Sequence, residues 1–442
     1  MRITVVGGGR MGLPLACVFA KNGADVCVAD IDADIVTSIN EGNCPYEEPG
    51  LRELMRDIHE ARKLSATTDT QGAATSSDAI VIIVPAHLTN EKEIDFSILR
   101  AASSDVGAGL KPGALVVYET TVSIGGTRRE LIPALEESSG LIAGKDFSVA
   151  YSPERVKANK VLSRLETTPK VVGGLDETSR KFVTNLYSMY LGAQIDDVGS
   201  LEAAESTKLL GMLYRDVNIA LANELAAFCE LAGVDFERIR AAANQDGEAN
   251  LLLPGIGVGG HCTPVYPYFL TRESRRLGFT QRISEAAREI NDGQPARQLS
   301  RVEDYWKPLS GQKAHILGLG FRPGVKVDTL SPAFELAAVL KQLDAKVTIE
   351  DPYYSDEEVQ ALGFEVGTAS NATVVILNTA HEQYTDPDFQ QWRSQGVEVV
   401  LDGRNYWDQR SAEKAKLHYF GIGRSSFKER EAVTPSSETS SR

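Results

Sequence analysis

Among the side chains of this chain, the thiol of Cys262 is the one best placed for covalent chemistry. It follows Gly255-Ile256-Gly257-Val258-Gly259-Gly260-His261, and Thr263-Pro264 come after it. Four glycines let a loop wrap a ligand closely with its backbone, and a cysteine ending such a loop is set for nucleophilic attack rather than packing. Cys17, Cys27 and Cys229 lack such a setting and read as small buried hydrophobes. A second cluster points to phosphate binding. Gly7-Gly8-Gly9-Arg10-Met11-Gly12 is a G-x-G-x-x-G that follows a β-branched run, Ile3–Val6, and opens a helical stretch. The first glycine permits a tight turn, the second lets backbone approach a pyrophosphate, and the third packs helix on strand. The helix N-terminus adds N–H donors and a partial positive charge. Asp30 closes the next strand, where a carboxylate binds both ribose hydroxyls and repels a 2′-phosphate, which favours NAD over NADP. The candidate cofactor contacts are Gly7, Gly9, Arg10, Met11, Gly12 and Asp30, with Pro85 after the run Ala79–Val84.

Positioning these groups requires strands and crossover helices. In the first 200 residues Ile3–Val6, Asp25–Ala29, Ala79–Val84, Ala114–Tyr118 and Ser148–Tyr151 alternate with helical stretches, the pattern of parallel strands joined by crossovers. From Leu201 to Ala232 there is no proline, and the apolar spacing predicts one long helix that connects domains and pairs with its copy in a homodimer. A Gly- and Pro-broken segment around 254–267 precedes a second alternation at Ala314–Leu317, Lys346–Glu350, Thr373–Asn378 and Val397–Leu401. There Gly318 and Gly320 follow Leu317 without a third glycine at the fingerprint spacing, so the second repeat reads as a related fold for a different nucleotide. The expected fold class is α/β, with two Rossmann-like doubly wound parallel-sheet domains joined by a long central helix. Its expected divisions are a NAD-binding domain at 1–200, a central helical and dimerisation region carrying the cysteine loop at 201–300, and a second Rossmann-like domain for a different nucleotide at 301–422. The stretch 423–442, rich in Ser, Thr, Glu and Lys, offers too little apolar surface to offset its ordering entropy and is expected to be disordered.

Composition narrows the remaining classes. At 442 residues the chain exceeds what one core supports. A formal net charge of −15 with no basic patch argues against nucleic-acid binding, so an anionic substrate must be held by a few local cations and backbone N–H groups. No apolar run reaches the roughly 20 residues that span a bilayer. The five cysteines are odd in number and lack a C-x-x-C pair, which argues against a disulfide framework and a zinc site. A soluble protein of the cytoplasm is the expected class, with neither membrane nor metal.

The ordered motifs make the resemblance specific. The cysteine segment, Gly7 to Pro14, Glu48-Pro49-Gly50-Leu51, Glu119-Thr120-Thr121-Val122, Ser152-Pro153-Glu154-Arg155-Val156, Lys208-Leu209 and Tyr214–Ala220 resemble the UDP-glucose and GDP-mannose dehydrogenase family, most nearly its branch acting on UDP-N-acetylhexosamines. The resemblance implies an NAD-dependent nucleotide-sugar 6-dehydrogenase of polysaccharide biosynthesis, oxidising a sugar C6 alcohol to a carboxylate through a thiohemiacetal and a thioester on Cys262. Its substrate would be a UDP-hexose or a UDP-N-acetylhexosamine. Lys208 matches the lysine that stabilises oxyanion charge, Glu154 the glutamate that handles water, and Thr121 the threonine that orients that water beside the cofactor. Without the family, Lys208 and Glu154 would read as solvated charges. Glu154, Arg155, Lys208, Asn250, Gly257, Gly259, Gly260, Arg322 and Arg404 are the implied substrate contacts.

Several positions depart from that pattern. Met212 stands where the family has an asparagine, Tyr266 where it has an aspartate, and Glu248 where it has an arginine reaching a neighbouring subunit. The segment Phe321–Pro332 keeps a cation at Arg322 but loses the paired acids and an arginine, and Lys157-Ala158-Asn159 replaces the usual continuation after Arg155-Val156. Losing an oxyanion donor costs on the order of 10²–10³ in rate. Two alternatives therefore stay open: a divergent member with a changed substrate or a two-electron oxidation, and a non-catalytic nucleotide-sugar-binding homologue.

Overall fold

The computed structural model describes residues 1–89, 94–156 and 160–425. The expected Lys157–Asn159 departure and the tail beyond Ser425 lie outside the described residues. Two compact units are present: one takes Met1–Gly211 with Tyr268–Gly278, the other residues 212–267 and the chain from Phe279 onward.

The first unit is built on eight strands: Arg2–Val6 (β1), Asp25–Ala29 (β2), Leu64–Thr67 (β3), Ala79–Ile82 (β4), Leu115–Tyr118 (β5), Ser148–Tyr151 (β6), Lys170–Gly174 (β7) and Ile195–Ser200 (β8). Their order is β8-β7-β6-β5-β4-β1-β2-β3. Within this sheet, among the described residues, only the β6–β7 pair is antiparallel. Burial explains the composition of these strands, because side chains alternate between faces and both faces are covered. Ile3, Val5, Val26, Val28, Val81 and Val117 enter one core. Val6, Cys27, Ala29, Ile80, Ile82, Val116 and Tyr118 enter the other. The helix after β1, Gly12–Lys21 (α1), is buried from Gly12 to Ala20, so it lies inside the unit rather than on its surface.

The long helix Leu201–Ala232 (α2) runs over the predicted residues, about 48 Å at 1.5 Å per residue. Its Leu201–Gly211 part belongs to the first unit and the rest to the second. Tyr266–Arg276 (α3) and Arg282–Tyr305 (α4) follow.

The second unit holds Lys313–Leu317 (β9), Lys346–Glu350 (β10), Glu365–Val366 (β11), Val374–Leu377 (β12), Val399–Asp402 (β13) and His418–Gly421 (β14). They are all parallel, in the order β11-β10-β9-β12-β13-β14. Alternation again feeds two cores, with Ile316, Ile349, Ile376 and Leu401 on one side and Leu317, Leu377, Val400 and Tyr419 on the other. In both sheets the strand order reverses beside the first strand, β1 or β9, which places the ligand crevice at the carboxyl ends there. The described start of the expected tail is held: Gly423 N–H donates to Glu230 Oε1 at 2.8 Å, and Ser425 Oγ to the Glu230 carbonyl at 2.8 Å. Among the described residues no helix is long and apolar enough to cross a membrane.

Candidate active site

At the carboxyl edge of the first sheet, the β1–α1 turn is shaped by close approach. Gly7 adopts φ +106°, and a Cβ at Gly12 would lie 1.9 Å from the Gly7 carbonyl oxygen, so the third glycine is demanded by packing. Gly9 faces open space, with nothing within 4 Å of where its Cβ would be. Met11 offers no side-chain cap to α1, which leaves the first N–H groups of that helix to a ligand. Asp30 fixes the turn by accepting from Gly8 N–H at 2.6 Å through one oxygen and from Asp32 N–H at 2.9 Å through the other. Each oxygen keeps a lone pair for a ribose hydroxyl. Arg10 and Pro85 are exposed at this edge. An open second glycine, an uncapped buried helix and a carboxylate one strand away fit a dinucleotide.

Farther along the same edge, beyond β5 and β6, lies a buried ionic cluster. Glu154, only 8% exposed, accepts from Arg155 N–H at 2.5 Å and Val156 N–H at 2.7 Å through Oε1, while Oε2 lies 3.3 Å from Lys170 Nζ. Lys170 is 2.7 Å from Glu119 Oε2, and Tyr187 Oη donates to Glu119 Oε1 at 2.5 Å. Burial pushes Glu154 upward, but Lys170, the Val156 N–H and Lys208 overcome it and hold the carboxyl below its usual range. For Glu119 burial wins, and its carboxyl is raised. Glu154 is thus no solvated charge. Lys208, half-buried on α2, acts on Glu154 electrostatically. Thr121 is 4% exposed, and its hydroxyl has no hydrogen-bond partner among the described residues. Arg155, by contrast, is exposed and turns its guanidinium to the Pro169 carbonyl. The sequence reading quoted Glu119 as part of a family motif but gave it no role, and it did not single out Lys170 or Tyr187. The available signal was a lysine opening an otherwise apolar run, Lys170-Val171-Val172.

In the second unit the glycine loop lies along the carboxyl edge of its sheet. Ile256 N–H donates to the Gly403 carbonyl at 3.0 Å, Gly260 N–H to the Thr329 carbonyl at 2.8 Å, and Gly255 N–H to Asn223 Oδ1 at 2.9 Å. A Cβ at Gly259 would meet Phe321 Cβ at 2.5 Å, so the chain passes too close for a side chain. Gly257 packs likewise on Pro332, the first residue of Pro332–Gln342 (α5). Arg404 donates to the Asn378 carbonyl at 2.6 Å, lies against Gly255, and is pulled down to about 10 by burial. Arg322 is half-buried in the segment after β9, and Asn250 is exposed ahead of the loop. Cys262 is half-buried one turn before α3; its carbonyl accepts from Tyr266 N–H at 2.9 Å, and its Sγ lies 3.7 Å from Tyr266 Oη. The phenol therefore stands beside the thiol.

Comparison with known proteins decides what the two edges serve. Three family models cover the chain: the NAD binding domain of the UDP-glucose/GDP-mannose dehydrogenase family over residues 1–191, its central domain over 202–293 and its UDP binding domain over 315–409. The chain belongs to this family. It is an NAD-dependent nucleotide-sugar dehydrogenase. Relatives include an NDP-N-acetyl-D-galactosaminuronic acid dehydrogenase from Ralstonia nicotianae, 32% identical over 92% of this chain and 96% of that one. A UDP-N-acetyl-D-glucosamine 6-dehydrogenase from Pseudomonas aeruginosa is 31% identical over 92% of this chain and 97% of its own. The solved UDP-D-ManNAc dehydrogenase of Pyrococcus horikoshii superposes with a TM-score of 0.85 at 29% identity, covering 96% of this chain and 99% of that one. In the dehydrogenase, the Gly7–Gly12 turn and strands β1 to β7 lie within the match to the NAD binding domain, and strands β10 to β13, with most of β9, within the match to the UDP binding domain.

Proposed function

We propose that this dehydrogenase oxidises the C6 alcohol of a UDP-N-acetylhexosamine to the carboxylate. The observation carrying the reading is the loop Gly255–Gly260, pinned on the sheet of the UDP-binding domain and ending at the half-buried Cys262. The relatives' names, each an N-acetylated sugar, support the substrate class. The β1–α1 turn and Asp30 would hold NAD, which when bound would supply the hydride acceptor for each oxidation. The Cys262 sulfur adds to the carbonyl carbon of the C6 aldehyde, giving a thiohemiacetal, and oxidation of that adduct gives a thioester. Water then breaks the C–S bond, releasing the acid and restoring the thiol. Lys208 offers a cation for the oxygen that gains charge in the addition and hydrolysis. Glu154, ionised and fixed by two backbone N–H groups, accepts a proton from the attacking water, and the unpartnered Thr121 hydroxyl orients it. Arg404 and Arg322 supply cations to the nucleotide, and Asn250 and the loop glycines contact the sugar or its phosphates; Arg155 would have to leave the Pro169 carbonyl to join them. Tyr266 fills the position of the family's aspartate: its Oη accepts from the Cys262 thiol at 3.7 Å, and once that thiol is ionised the phenol can turn its proton to the sulfur.

Incubation with UDP-N-acetylglucosamine, UDP-N-acetylgalactosamine, UDP-N-acetylmannosamine, UDP-glucose or GDP-mannose, with NADH counted and products weighed by mass spectrometry, tests this reading. The expected result is two NADH and one acid per acetylated substrate molecule, with acid formation abolished in Cys262→Ala. One NADH with an aldehyde or ketone would mean a two-electron enzyme, and no turnover on any sugar would favour a binding protein.

The quaternary reading is a homodimer through α2. Tyr214, Leu221 and Phe228 recur every seven residues and are 59%, 40% and 66% exposed, a stripe that burial against a second copy would cover. Phe228→Glu should give monomers in analytical ultracentrifugation. The cytoplasm fits the five free thiols, and a uronic-acid product fits polysaccharide assembly.

A further inference from the structure

We infer that Lys170 is a positioning residue for the dehydrogenase reaction, holding Glu154 in its reactive rotamer and charge state while Glu119 and Tyr187 hold Lys170. The inference rests on the proposed role of Glu154. The cluster sits in the first unit, and each member comes from a different element: Glu119 follows β5, Glu154 follows β6, Lys170 opens β7, and Tyr187 lies on the helix Glu177–Tyr190.

A buried ammonium persists only when paired, and this one is only 7% exposed at its side chain. Two carboxylates share it unequally, Glu119 at 2.7 Å and Glu154 at 3.3 Å. Tyr187 occupies the other Glu119 oxygen and places its ring 5.2 Å from the lysine Nζ, so Glu119 and the lysine are both fixed. Glu154 is held differently. Its Oε1 is bound by backbone, and its Oε2 has the lysine only at the outer limit of hydrogen bonding. That oxygen is attracted without being consumed, which is what a carboxylate that must take and return a proton requires. Among the described residues, the charged groups acting on Glu154 include Lys170, Lys208 and Glu119. Burial raises Glu154, and Lys170 is the largest opposing influence.

Removing the lysine and removing its second partner therefore push Glu154 in opposite directions. Lys170→Met should move the acid limb of the kcat–pH profile upward by about one unit or more and, because Glu154 also loses its fixed position, cut kcat on the plateau at neutral pH on the order of tenfold, leaving KM for NAD unchanged. Lys170→Arg should restore most of the loss. Glu119→Gln removes a like charge and frees the lysine for Glu154, so the acid limb should move downward. It also keeps the cation buried and paired, so this arm stands even if Lys170→Met fails to fold. Residues that merely support the fold would shift both profiles the same way or neither. Such a result in soluble, NAD-binding variants would overturn the inference. Infrared titration of the Glu154 carboxyl stretch, assigned by subtracting Glu154→Gln, reads the coupling without turnover. If Glu154→Gln keeps full kcat, the catalytic reading of Glu154 fails. An infrared shift with Lys170→Met would then uphold the coupling alone, whereas no shift would remove that too.

Discussion

The two sheets share a strand order but use their first βα turn in opposite ways. In the first, Gly7 leads directly into α1, the helix is uncapped, and the space over Gly9 is open. In the second, the turn after β9 is occupied by the protein's own groups. Asp351, the counterpart of Asp30, accepts from Leu319 N–H at 2.8 Å, from Gly320 N–H at 2.9 Å and from buried His381 at 3.1 Å. Asn378 Nδ2 donates to the Gly318 carbonyl at 2.9 Å and to Gly320 at 3.1 Å. The next helix, α5, starts only at Pro332 and is capped by Ser331. A doubly wound topology thus specifies an edge where a ligand can bind, and the side chains at the first turn decide whether a pyrophosphate fits there. In the second unit the ligand-facing backbone is instead the loop Gly255–Gly260.

The largest expected contrast is between glycines. Gly12→Ala sets a methyl 1.9 Å from a backbone oxygen and should weaken NAD on the order of 100-fold by calorimetry, roughly 3 kcal/mol. Gly320→Ala brings its nearest contact to 3.3 Å, a carbonyl of Val327, and should leave NAD affinity unchanged. Equal losses would mean that the second turn also serves the cofactor.

The two aspartates come next. Asp30→Ala should weaken NAD and erase its advantage over NADP, with little change in unfolding temperature beyond the loss of the Gly8 contact. Asp351→Ala strands three N–H groups, those of Leu319, Gly320 and Tyr353, and a buried histidine, and should cost about 3 kcal/mol of stability in denaturant unfolding without altering cofactor choice.

This division of labour was only half legible in the sequence. The strand, glycine turn and helix around Gly7–Gly12 and the helix at Leu201–Ala232 form as expected, because a fingerprint and a long apolar period are local signals. Strands β3, β7, β8, β11 and β14 were missed. Several contain glycine or polar residues, as in Lys170-Val171-Val172-Gly173-Gly174, and exist because a neighbouring strand is already there to pair with them. The absence of a third glycine after Gly320 was visible, but the Asp351–His381–Asn378 set that fills the turn joins residues distant in sequence. For the same reason the motif match pointed to Glu154 while its partner Lys170 went unseen.

The last contrast separates the units by pH, and it is partial at any one pH. Burial raises Glu205 on α2, whose carboxylate accepts from Thr127 N–H at 2.9 Å and from Gly125 N–H, from 4.5 to about 7. A carboxyl that is harder to ionise folded than unfolded costs stability as it ionises. The first unit should therefore be most stable below pH 4.5 with respect to this group and lose up to ~3 kcal/mol as pH rises to about 7. Asp351 has the reverse sign. Burial pushes it up, but His381 and the Gly320 and Tyr353 N–H groups prevail and hold it below its ordinary 3.8. Its contribution is complete above that value and is lost as pH falls through the lowered one. Chemical unfolding followed by hydrogen exchange from pH 4 to 8, with peptides from each unit read separately, should show protection near Gly125–Thr127 declining with pH and protection near Leu319–Gly320 holding level. Glu205→Gln should flatten the first trend by removing the ionisation. A trend that survives in Glu205→Gln would assign the pH dependence to another group, and a rise with pH at Gly125–Thr127 would show that its two backbone donors outweigh burial.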